Sequence, residues 1–146
     1  VQQQSVQCEH AGLSGGAAHE RRRLSPSIVG IGTPTGSYDP PQDGWCGNAS
    51  GASSGVTGGC ITGYPSIIEF YFTKGPNCSV SSPCPSWIKD MFNGGNSVSG
   101  GDSGELWLDY NLRVHGMLVG EDANGQGYFQ RWQNVANAWS VTIATQ

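Results

Sequence analysis

Hydrophobic residues occur in this chain as short runs separated by Gly, Ser, Pro and Asn, a pattern of strands and turns rather than long helices. Ile67-Ile68-Glu69-Phe70-Tyr71-Phe72 is the strongest strand candidate, and Ile28-Val29-Gly30-Ile31-Gly32 is a shorter β-branched run. Leu106-Trp107-Leu108 and Val114 to Val119 predict a hairpin turned near Asp109-Tyr110-Asn111, followed by a strand at Gly127-Tyr128-Phe129-Gln130. Pro34 to Gly44 is rich in turn residues, and Trp45 to Cys60 is predicted as a loop or an irregular hairpin. Trp87 to Phe92 is predicted as a helical turn and Arg131 to Ala138 as a short helix. Trp139 to Ile143 is expected either to continue that helix or to form a last strand. There is no internal repeat, and the regular spacing of short strands predicts an all-β barrel or sandwich. Before Ser27 no such pattern exists, so residues 1–26 are expected to form an extended arm or linker and 27–146 the folded domain.

Composition narrows this picture. A chain of 146 residues is long enough for one domain with a real core, and 23 Gly with 8 Pro suit turn-rich β structure. The net charge of −4 argues against a nucleic-acid partner, and no apolar run approaches the length of a membrane-spanning helix. The triplet Arg21-Arg22-Arg23 is expected to be a solvated charge run, with a processing site as the alternative. The chain begins at Val1 without a signal peptide, so a processed chain or a fragment is expected.

Cysteines point to the compartment. Cys8, Cys46, Cys60, Cys78 and Cys84 lack CxxC pairs, and no His-x-x-x-His accompanies them, so disulfides are expected rather than metal ligation, and no cofactor is implied. Cys46–Cys60 and Cys78–Cys84 would close short loops, leaving Cys8 for a bond to another chain. The sequons Asn48-Ala49-Ser50 and Asn77-Cys78-Ser79 agree with a secreted glycoprotein.

The densest chemistry lies in Gly100-Gly101-Asp102-Ser103-Gly104-Glu105. Glycines on both sides of a serine permit a sharp turn and close approach of a substrate carbonyl, and the amides of Gly101 and Ser103 can converge on an oxyanion. The string resembles the GDSGG signature of chymotrypsin-like serine proteases, and the elements after it resemble the last third of the streptogrisin-like branch. The resemblance is good over 97–143, weak over 27–96 and absent over 1–26. It implies a six-stranded antiparallel Greek-key barrel like the C-terminal barrel of that family, with a short C-terminal helix. It also implies Ser103 as nucleophile, Gly101 and Ser103 as the oxyanion hole, and Asp102 as the buried acid that fixes the turn. Ser97 would form the base of the specificity pocket and Val119, Gly120 and Glu121 its wall. Two departures stand out: Glu105 replaces the second glycine of the signature, and Ser99 replaces a pocket cysteine found in many members.

A serine nucleophile also needs a base and an acid to orient it. His10 carries no signal, and His115 is expected to be a structural strand histidine. Gly16-Ala17-Ala18-His19 resembles the family's AAH element, which implies His19 as base with Asp39 or Asp43 as acid. Against it, the family's histidine follows two or three strands, and residues 1–18 are expected to contain none. The simpler expectation is that His and Asp reside on a second chain bearing the N-terminal barrel, tethered through Cys8. The sequence therefore predicts a secreted serine endopeptidase acting on peptides, of which this chain holds the nucleophile. The alternatives are a catalytically inactive protease-like domain used for extracellular binding or assembly, and an unrelated glycan-binding sandwich using its five Trp and five Tyr.

Overall fold

The computed structural model describes residues 25–73 and 76–145. Cys8, His10, His19 and Arg21-Arg22-Arg23, with most of the predicted arm, lie outside the described residues. Eight strands and one helix follow in order: β1 Gly36–Ser37, β2 Cys46–Gly51, β3 Gly55–Cys60, β4 Thr62–Phe72, β5 Cys84–Ser97, β6 Leu106–Asp109, β7 Arg113–Glu121, β8 Gln126–Arg131 and α1 Trp132–Trp139. The strands pair in the order β3-β2-β6-β7-β8-β5-β4. Every pair is antiparallel except the two-residue β1, which lies parallel to β7.

Ile61 alone separates β3 from β4, so the two ends of this strand order belong to one bent strand. The sheet closes where β3 meets β5: a Cβ on Gly59 would stand 2.3 Å from the Gly94 carbonyl oxygen, and one on Gly95 would stand 2.8 Å from the Cys60 nitrogen. Backbones this close leave no room for side chains, so glycine is required on both strands. Counting β3–β4 as one bent strand and setting β1 aside gives the expected six-stranded barrel.

The inward-facing residues Ala49, Ile61, Phe92, Val98, Trp107, Leu118 and Phe129 fill the barrel. Phe92 stacks on Phe129 at 5.5 Å and meets Trp107 edge-on at 6.0 Å. Asn96 is fully buried with them: it accepts from Trp107 Nε1 at 2.7 Å and donates to the Thr57 carbonyl at 2.8 Å. A second cluster, Leu108, Val114, Trp132 and Val135, fixes α1 on the outside of the barrel, with Ile28 and Ile31 packed against it.

Two local expectations are corrected. Trp87 to Phe92 belongs to β5, because Trp87 and Ile88 pair with Glu69 and Ile68 across the ladder, and Asp90 at φ +56 accommodates the register shift. Of Trp139 to Ile143 only Trp139 continues the helix and none forms a strand: Ser140 turns into the left-handed region and its amide bonds the Ala136 carbonyl, ending α1. Trp45 to Cys60 is the β2–β3 hairpin, clipped by Cys46–Cys60, and Cys78–Cys84 closes the loop between β4 and β5.

Candidate active site

Between β5 and β6 the chain makes two turns in quick succession. Gly101 at φ +109 and Gly104 at φ +93 adopt backbone conformations that L side chains rarely enter, so this path is open to glycine alone. Buried and exposed positions alternate sharply along it: Asp102 points in, Ser103 and Gly104 face solvent, and Glu105 points in again.

Asp102 anchors the turn to the β2–β3 hairpin. Its Oδ1 accepts from the amides of Ser53 at 2.7 Å and Ser54 at 3.1 Å. Its Oδ2 accepts from the Ser54 hydroxyl at 2.5 Å and the Ser99 amide at 2.9 Å. Burial works to raise the Asp102 pKa, but the Ser54 hydroxyl and the amides of Ser99, Ser53 and Ser54 outweigh it and hold the carboxyl well below the usual range. Ser53 adds a bond from its hydroxyl to the Gly100 carbonyl at 2.9 Å.

The backbone donors of the turn divide into two sets. The amides of Asp102, Gly104 and Glu105 donate to the carbonyls of Ser99, Leu118 and Asp102. The amides of Gly101 and Ser103 take no hydrogen bond among the described residues. A pocket of about 50 Å³ opens beside Ser103, lined by Val98, Ser99, Gly100, Leu118, Gly120 and Glu121. A Cβ on Gly120 would stand 2.7 Å from the Phe70 ring, so a larger residue there would collide with β4.

The proposed wall and base are only partly assembled. Gly120 and Glu121 line the pocket, whereas Val119, one residue out of phase on β7, faces a separate apolar groove with Trp87, Met117, Val135 and Trp139. Ser97 is exposed at the end of β5, opposite Gln126, and does not line the pocket; Val98 and Ser99 stand there instead.

The candidate acids Asp39 and Asp43 are engaged with other partners. His19 lies outside the described residues. Asp39 accepts from the Arg131 guanidinium through both carboxylate oxygens, and Asp43 accepts from the Tyr64 amide at 2.9 Å. His115 is fully buried near the β6–β7 turn, whereas Ser103 precedes the opposite end of β6. Its Nε2 lies 3.1 Å from Asp109 Oδ2, and because an ionised carboxylate only accepts, Nε2 carries the proton. Nδ1 is buried without a partner among the described residues, and the ring packs edge-on against Trp45 and Trp107 at 5.3 and 5.5 Å. Burial lowers the His115 pKa more than Asp109 raises it, so the ring is neutral. Asp109 also takes the amides of Asn111 and Arg113 and the Arg113 side chain, which makes the group a structural clasp on the β6–β7 turn.

Sequence reasoning missed the Ser53-Ser54 pair and the burial of Glu105. A Ser-Ser step in a tight hairpin offers two amides and two hydroxyls, but nothing in the order of residues couples it to an aspartate 48 positions later. Among the described residues no cluster of three or more His, Cys, Asp or Glu forms a metal site.

No protein-family model and no curated protein matches the sequence. Solved structures do match. Thermobifida fusca Protease A aligns at a TM-score of 0.61 with 20% identity over 78% of this chain and 55% of its own. A glutamic-acid-specific serine protease that uses a histidine triad in substrate binding aligns at 0.57, with 19% identity over 83% and 62%. Cellulomonas bogoriensis chymotrypsin aligns at 0.56, with 17% identity over 82% and 66%. The chain thus spans 55–66% of the length of these structures. At such identities the likeness speaks for architecture. The fold is that of the chymotrypsin-like serine proteases, at an extent that fits their C-terminal barrel portion.

Proposed function

We propose that this chain supplies the nucleophile half of a secreted serine endopeptidase. The observation that carries the reading is the Ser103 turn itself. An exposed hydroxyl stands beside two amides free of hydrogen bonds, on a loop fixed by a buried, fully bonded aspartate. In the proposed reaction Ser103 Oγ attacks a peptide carbonyl and its proton passes to a histidine. The Gly101 and Ser103 amides take the oxyanion. Collapse of the tetrahedral intermediate breaks the C–N bond, and the histidine returns the proton to the leaving amine. Water then hydrolyses the acyl-enzyme.

The base and its acid are assigned to a second polypeptide bearing the other barrel, with Cys8 as the tether; His19 of this chain is the competing assignment. Two disulfides support an extracellular setting. Of the two sequons, Asn77 is exposed in a turn, whereas Asn48 is half-buried between β3 and β6, so Asn77 is the better acceptor for a glycan.

One observation favours a second reading, a catalytically inactive domain kept for extracellular binding. Glu105 places a second buried carboxyl next to Asp102, where the GDSGG signature has glycine. A fluorophosphonate probe on native material separates the two. The expected result is a label on Ser103 by intact mass and peptide mapping, lost in Ser103→Ala, with a disulfide-linked second chain released on reduction. No label and no second chain would rule out the endopeptidase.

A further inference from the structure

We propose that Glu105 is a proton-controlled positioning residue for Ser103: a neutral Glu105 carboxyl permits the turn described above, and an ionised one pushes it apart. This rests on the reading of Ser103 as nucleophile. Three geometric facts carry it. Glu105 is only 8% exposed, and neither of its carboxyl oxygens has a hydrogen-bond partner among the described residues. Asp102, three residues earlier, is 2% exposed and bonded through both oxygens. The two carboxyls converge over Gly51 of β2, where a Cβ would stand 2.4 Å from Asp102 Cγ and 2.5 Å from Glu105 Oε2.

Two carboxylates in one dry site cannot both ionise cheaply, and the one with bonded partners keeps the charge. Asp102 has those partners and Glu105 has none, so the proton stays on Glu105. Burial, with the Asp102 charge added, pushes the Glu105 pKa up to about 7. Among the described residues Asp102 is the one charged group acting on it. Gly51 of β2 brings no charge, the hairpin brings serine groups, and β7 meets it through the Leu118 backbone. The backbone links the pair to Ser103: the Glu105 amide bonds the Asp102 carbonyl at 3.0 Å, the Leu118 amide bonds the Glu105 carbonyl at 2.9 Å, and the Gly104 amide bonds the Leu118 carbonyl at 3.0 Å. An ionised Glu105 that swings away from Asp102 pulls on the same three bonds that shape the loop carrying Ser103.

The test is a pH titration of the full chain by NMR, following the Glu105 carboxyl carbon and the amides of Gly101, Ser103 and Gly104. The expected result is one midpoint near neutrality shared by the carboxyl and the amides, with the amide shifts absent in Glu105→Gln. Amides that do not move between pH 5 and 9, or that move equally in Glu105→Gln, would overturn the proposal. If Glu105→Gln does not fold, the wild-type carboxyl decides: a midpoint in the ordinary carboxylate range refutes it. A parallel fluorophosphonate profile should show wild-type labelling falling at least threefold relative to Glu105→Gln from pH 6 to pH 8. Absence of label at every pH would reject the nucleophile while leaving the NMR outcome to judge Glu105.

Discussion

The Ser54 hydroxyl donates to Asp102 Oδ2 across 2.5 Å and so joins the β2–β3 hairpin to the turn that presents Ser103. A hydrogen bond to a buried carboxylate is among the stronger single contacts in a domain, on the order of 1.5–3 kcal/mol. Ser54→Ala should therefore lower unfolding stability by about that amount in urea titrations. Labelling of Ser103 should fall with it, because Asp102 keeps its amide partners but loses the contact that sets its angle. Unchanged stability would mean that the hairpin and the turn are held independently.

Ser103 itself is exposed and, among the described residues, spent on no structural bond. Ser103→Ala should leave stability within about 0.5 kcal/mol of the parent while abolishing the fluorophosphonate adduct. A large loss of stability in this variant would assign Ser103 a structural role in place of the chemical one.

Closure of the barrel at Gly59 makes a sharper demand. An alanine methyl there would meet the Gly94 and Gly95 backbone at 2.3 Å, and backbone cannot move aside as a flexible side chain can. Gly59→Ala should cost about 3 kcal/mol or more, or prevent folding. Gly100→Ala, with nothing within 4 Å of the new methyl, should be close to neutral and serves as the control. Equal thermal midpoints for the two variants would contradict the closure.

The first acid-side loss of stability, just below neutral pH and ahead of the carboxylates Asp102 and Asp109, should come from His115. Burial holds its folded pKa below the ordinary value, whereas in the unfolded chain it titrates near about 6.5. As pH falls through that value the unfolded chain takes up a proton that the folded chain refuses, so stability drops towards acid. Glu105 acts in the opposite sense. Its folded pKa lies above the unfolded value, so its contribution is largest at low pH and is lost as pH rises towards about 7. His115→Gln should flatten the acid-side slope of a stability–pH curve, and Glu105→Gln the slope towards neutral pH. A curve unchanged in both variants would show that neither group titrates as its surroundings require.

Runs of β-branched and aromatic residues, the Gly-rich turns and the cysteine spacing were enough to determine an all-β barrel or sandwich, the β6–β7 hairpin, the terminal helix and both disulfides, and the resemblance around GDSG chose the barrel. These features depend on local preferences and short loops, which a sequence states directly. The GDSG turn was legible for the same reason, since its glycines encode the backbone conformations that Gly101 and Gly104 adopt. Trp87 to Phe92 misled because its apolar spacing suits a helix, and only pairing with β4 makes it strand. The partners of Asp102, the Asp109–His115 clasp and the capture of Asp39 by Arg131 were decided by tertiary structure. Each joins side chains through the closing of the barrel or the folding of a hairpin, and the energy of such a contact depends on burial that no stretch of sequence contains. Glu105 is the clearest case. In sequence it is one acidic residue after a glycine, and only the fold places it in the dark beside Asp102, where its charge becomes costly.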